Sequence, residues 1–112
     1  MADISIRFTM EPQRSLGFAS IGAVYMSIGT EMTHPLRMYE MHNLTNTALQ
    51  FSLDGIDDHF VLAANSHKIV DIVSNKTSSE GWYIANGTSI YVKQLTIAPT
   101  TGSVYLSVAY GD

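Results

Sequence analysis

The chain has no cysteine, which excludes disulfides, thiolate metal sites and cysteine nucleophiles. A secreted domain of this size is commonly stapled by disulfides; without them, the chain points to a bacterial cytosolic origin or to stability gained through assembly. Charge is scarce as well. Charged residues make up 14% of the chain, against roughly 25% in an ordinary soluble domain. Neutral surface is cheaper to desolvate against a partner, so the deficit favours protein contacts. The cations Arg7, Arg14, Arg37, Lys68, Lys76 and Lys93 form no run, and the net charge is −4. A nucleic-acid face needs several phosphate-neutralising cations together, so no nucleic-acid partner is expected. No apolar stretch approaches the roughly 20 residues that span a bilayer. Residues 1–10 alternate and carry Asp3, unlike the cationic start and apolar run of a secretion signal. No membrane partner is expected either.

What the chain does have is period-two alternation, broken by turn residues every ten or so positions, the pattern of half-buried β-strands. Ile4, Ile6 and Phe8 alternate with Ser5, Arg7 and Thr9 in a first strand that Pro12 should end, since proline donates no ladder hydrogen bond. Residues 18–28 read as a second extended stretch, bent at Gly22. A third strand over 36–42 sets Leu36 and Met38 on one face against Arg37, Tyr39 and Met41 on the other. Further strands are expected over 48–53, 60–62, 67–73 and 82–84, with a final pair over 90–97 and 104–110. Asp54-Gly55 and Asn86-Gly87 are tight-turn dipeptides. About eight short strands and no helix predict one all-β domain over residues 1–112. The architecture expected is an antiparallel β-sandwich, jelly-roll-like, with an immunoglobulin-like or Greek-key arrangement fitting the strand count nearly as well.

Few residues group in a way that points to chemistry. Asp54, Asp57 and Asp58 crowd one turn, where carboxylates could hold a hard cation; the spacing does not match an EF-hand loop, and the alternative is a solvated turn. His34, His42, His59 and His67 lack the close, regular spacing of zinc ligands. No G-x-S-x-G elbow, phosphate loop or dinucleotide fingerprint is present. The N-x-[ST] triplets at Asn43, Asn75 and Asn86 read as turn chemistry. No catalytic residue and no cofactor are expected. Tyrosine and methionine are enriched in interfaces, and some strands look apolar on both faces. Tyr25, Met32, Met38, Tyr39, Met41 and Trp82 are therefore the candidate partner-binding residues, with cross-strand packing the alternative for each one taken singly.

Several stretches resemble small virion proteins of tailed bacteriophages: Ile28-Gly29-Thr30 with His34-Pro35-Leu36-Arg37, Asn43-Leu44-Thr45-Asn46, and the run from Ser52 to His59. Ser74-Asn75-Lys76, the run from Gly87 to Lys93, and Gly102-Ser103-Val104-Tyr105 continue the pattern. The resemblance spans residues 15–112 and, by length and pattern, is closest to the capsid-stapling decoration (cement) proteins of epsilon15-like short-tailed phages. It implies a non-enzymatic jelly roll on the outer capsid surface of the virion, assembled in the host bacterial cytoplasm. The implied partners are the phage major capsid protein and further copies of the chain, as a homo-dimer or homo-trimer. No family residue set carries over. Two alternatives stand beside it: a head-tail connector, collar or tail-tip subunit, and a carbohydrate- or calcium-binding sandwich module using Asp54, Asp57, Asp58 and Trp82.

Overall fold

A computed structural model describes residues 8–71 and 84–111. Nine strands run through them: β1 (Phe8–Met10), β2 (Arg14–Gly17), β3 (Met26–Ser27), β4 (Met38–Asn43), β5 (Leu49–Ser52), β6 (Phe60–Leu62), β7 (Ser66–Asp71), β8 (Tyr91–Gln94) and β9 (Ser103–Gly111). The one helical element among them is a 3-10 turn, Phe18–Ser20.

All pairings are antiparallel and nest from the outside inward. β1 and β2 both pair with β9, β3 with β8, β4 with β7, and β5 with β6. That is one long hairpin, with β1 and β2 as a single interrupted arm. Rolling it up adds the pairs β4–β9 and β5–β8. The result is two sheets, ordered β1/β2–β9–β4–β7 and β3–β8–β5–β6, which is the jelly-roll arrangement. The predicted sandwich is therefore what the chain forms.

The interruption comes from Pro12. It breaks the first arm without ending it, because the chain resumes pairing with the same strand two residues later. Proline is tolerated there because the arm lies at a sheet edge, where a missing N–H breaks no central ladder. The expected strand over 18–28 is instead the 3-10 turn, a loop and a two-residue strand. Of the expected strand over 82–84, Ile84 makes an isolated bridge to Leu36, and the rest lies outside the described residues.

Alternation decides what is buried. Tyr39, Met41 and Asn43 of β4 point inward, as do Val104, Leu106 and Val108 of β9. Opposite them the second sheet contributes Leu49, Phe51, Leu62 and Val92. Each aliphatic or phenylalanine side chain among them gains about 1.5–3 kcal/mol on leaving water. Phe51 and Phe60 stack with ring centroids 5.0 Å apart. Three expected partner-binding residues belong to this core: Met32, Tyr39 and Met41 are 1%, 4% and 0% exposed. The apolar look of both faces of residues 36–41 has a local cause. Leu36 lies before β4 and is buried by its bridge to Ile84, while Met32 is fixed by hydrogen bonds with Thr88 and Gly87. Neither position obeys the strand's alternation.

Candidate functional site

The outer faces of the two sheets differ. That of β3–β8–β5–β6 is covered by residues 53–59, which fold back over it. Ser52 Oγ donates to Asp54 Oδ1 at 2.8 Å and accepts from the Gly55 amide at 2.9 Å. The same Asp54 oxygen accepts from the amides of Ile56 and Asp57 at 2.8 and 2.9 Å. Those bonds, first Ile56, then Asp57 and Ser52, pull the Asp54 carboxyl down to about 2. Gly55 holds φ +76°, and a Cβ there would stand 3.3 Å from the Tyr91 ring, so glycine lets the loop lie close to the sheet.

Asp58 turns away from its neighbours. Tyr25 donates its hydroxyl to Asp58 Oδ1 at 2.5 Å, and Lys93 Nζ lies 3.5 Å from that oxygen and 4.7 Å from the Tyr25 ring centroid. Burial first, then the bond to Asp58 and the charges around it, push the Tyr25 phenol up; Tyr25, followed by Lys93, holds Asp58 down. Tyr25, expected at a partner surface, is half-buried, and its hydroxyl is engaged by Asp58 in an exposed hydrogen bond.

Of the expected cation ligands, Asp54 and Asp57 remain close, and His59 joins them with donor atoms within 4.8 Å of one another. His59 is poorly set up to ligate. Its Nδ1 accepts from the Leu53 amide at 2.9 Å, so the neutral ring carries its proton on Nε2 and has no bare nitrogen left.

Among the described residues, no loop folds over the outer face of β1/β2–β9–β4–β7. Across one row Met10 pairs with Ala109, which pairs with Met38, which pairs with Asp71. The next row runs Ser107, Glu40, Ile69, and the next Ser15, Tyr105, His42, His67. Met10 and Ile69 are each 52% exposed, and Met10, Met38, Glu40, Ser107 and Ala109 line a shallow depression. The described cations lie elsewhere: Arg14 and Arg37 are buried, Lys68 faces the Phe60 ring, and Lys93 is on the other sheet. Of the expected partner-binding set, Met38 alone sits on this face; Trp82 lies outside the described residues.

The sequence reading missed Met10, Glu40, His42, His67 and Ile69. The signal for Glu40, His42, His67 and Ile69 was the parity of β4 and β7, readable once Tyr39 and Met41 point inward; Met10 joins them through the pairing of β1 with β9.

No protein-family model matches the chain, and neither curated proteins nor solved structures give a match.

Proposed function

We propose that this protein is a structural, non-enzymatic component of a tailed-phage virion, a decoration protein that binds the outside of the capsid and reinforces contacts between major capsid protein subunits. The observation that supports this reading is the open outer face of the β1/β2–β9–β4–β7 sheet. Among the described residues it presents Met10, Met38, Ile69 and Tyr105, with Glu40 and Asp71 as its carboxylates. Such a face loses little hydration energy when a partner covers it. The outer face of the opposite sheet is overlaid in part by its own 53–59 loop, which anchors Asp58 to Tyr25 and Lys93. On a symmetric shell, many copies multiply a modest single contact, and association of the chain with itself as a dimer or trimer adds to that.

Quantitative mass spectrometry of purified mature particles, with localisation by cryo-electron microscopy, tests the proposal. The expected result is a copy number that follows the shell subunits and density outside them. A copy number matching one ring would move the protein to the connector, collar or tail-tip reading. Absence from particles would overturn the virion assignment and return attention to the carbohydrate- or calcium-binding module.

A further inference from the structure

We infer that His42 and His67 form a two-histidine site for a borderline divalent transition-metal ion, such as Zn²⁺ or Ni²⁺, on the open sheet face. The two residues stand directly opposite each other on β4 and β7. Opposed positions on one face bring Cβ atoms to about 4.5–5.5 Å, and here the rings stack with centroids 5.3 Å apart and planes 22° from parallel. Two imidazole nitrogens bound at about 2.1 Å to one ion lie roughly 3 Å apart. The movement the proposal requires is rotation about χ2, a broad torsion for histidine.

The second observation is Glu40. Its Oε1 lies 2.9 Å from His42 Nε2. As an acceptor, the carboxylate favours a proton on Nε2, the tautomer that would leave Nδ1 of a neutral ring for a metal. A carboxylate so placed is the kind of partner that orients metal-ligating imidazoles and raises their basicity. His59 is the converse, with Nδ1 already taken by a backbone amide. No described residue hydrogen-bonds a ring nitrogen of His67, whose ring contact is to His42 alone. Imidazole donors suit zinc, nickel and copper; calcium and magnesium prefer oxygen. Because the pair lies on the surface, water or a donor from a docked molecule can complete the coordination.

The test needs only the isolated full-length protein, so it is independent of the virion proposal. Chelator-treated protein is titrated with NiCl₂ and with ZnCl₂ by calorimetry, while long-range ¹H–¹⁵N spectra follow the four histidines. The expected result is one ion per chain, with shifts at His42 and His67 and none at His59. His67→Ala should weaken binding by about tenfold or more, because one of two ligands is gone. Glu40→Gln should weaken it by about 10-fold through the lost relay. The double variant Asp57→Asn, His59→Ala should bind as the parent does. The parent's thermal midpoint should climb with the logarithm of metal concentration, and that of His67→Ala should begin to climb only at about tenfold or more higher metal. No binding at millimolar metal, equal affinity in His67→Ala, or shifts centred on His59 would each overturn the assignment.

Discussion

Glu11 and Arg14 are 2.6 Å apart, carboxylate oxygen to guanidinium nitrogen, and neither side chain is more than 6% exposed. The pair sits at the Pro12 interruption between β1 and β2 and ties that edge to residues 30–34. Arg14 donates to the carbonyls of Thr30 and Glu31 at 2.7 and 3.0 Å. Glu11 Oε2 accepts from the Thr33 amide at 3.2 Å and from His34 Nδ1 at 2.8 Å. His34 in turn stacks on Tyr110 of β9, centroids 3.7 Å apart. Glu11→Ala would leave the guanidinium buried without its counter-charge. A loss of about 3–5 kcal/mol is expected, to be measured by urea unfolding; a loss below about 1 kcal/mol would show that the pair is not buried in solution.

Glu11 also sets an acid limit. Burial by itself would raise its pKa, but hydrogen bonds from Arg14, His34 and Thr33 outweigh it and bring the carboxyl from its ordinary 4.5 to about 2. A depressed folded pKa gives stability that is full above the unfolded value. That part is lost as pH falls from about 4.5 toward 2. Thermal midpoints recorded from pH 6 to pH 2 should decline through that window. Glu11→Gln should start lower at pH 6 and decline less. Asp54, also lowered to about 2 but exposed, keeps part of the slope in that variant. Parallel curves for parent and Glu11→Gln would remove Glu11 from the account.

Most of the sandwich was legible because β4, β5, β7, β8 and β9 carry alternation strong enough to survive without context, and β6 is a short apolar run bounded by turn residues. What stayed hidden was non-local. The β2 segment, Arg14–Gly17, shows no apolar alternation, because its inward Arg14 is neutralised by Glu11, a partner across a proline. Met32 and Leu36 resemble surface residues of an extended stretch until residues 84–90 are known to lie beside them. The Asp54 turn was legible as turn chemistry, since its carboxylate caps its own backbone. The His42–His67 pair was not, because 25 positions separate the two residues in sequence and only the β4–β7 register brings them together.

Glycine is required at residue 102 for two reasons at once. Its φ is +88°, and a Cβ there would fall 2.0 Å from the Leu44 carbonyl oxygen, which is backbone and cannot rotate away. Gly87 has nearly the same φ, +85°, with nothing within 4 Å of the added atom. Gly87→Ala should therefore show conformational strain alone, about 1 kcal/mol. Gly102→Ala should add displacement of the β4–β5 connection and cost about 3 kcal/mol or more. Chemical denaturation of both variants checks the ordering; equal losses would mean that the Leu44 backbone yields freely.

Asn43 ends β4 with a side chain that is fully buried. Its Nδ2 donates to the carbonyls of Thr47, Leu62 and Ala63 at 3.0, 3.1 and 3.1 Å, and its Oδ1 accepts from the Thr45 amide and hydroxyl at 3.0 and 2.6 Å. One amide thus joins the β4–β5 turn to the end of β6, and the Asn43-Leu44-Thr45 triplet is structural, with no room for a glycan on that nitrogen. Asn43→Asp keeps the shape and replaces the donor by an oxygen facing three carbonyls. At pH 7 the new carboxylate has no donor to offer and is repelled by all three, so a loss of about 3 kcal/mol or more is expected. Its folded pKa must then lie above its unfolded value of about 3.9, so the penalty should shrink as pH falls toward 4 and the group takes up a proton it can donate. Unfolding curves for parent and variant at pH 7 and pH 4 should converge on the acid side. A gap that stays constant between those pH values would mean that the amide does not face those carbonyls.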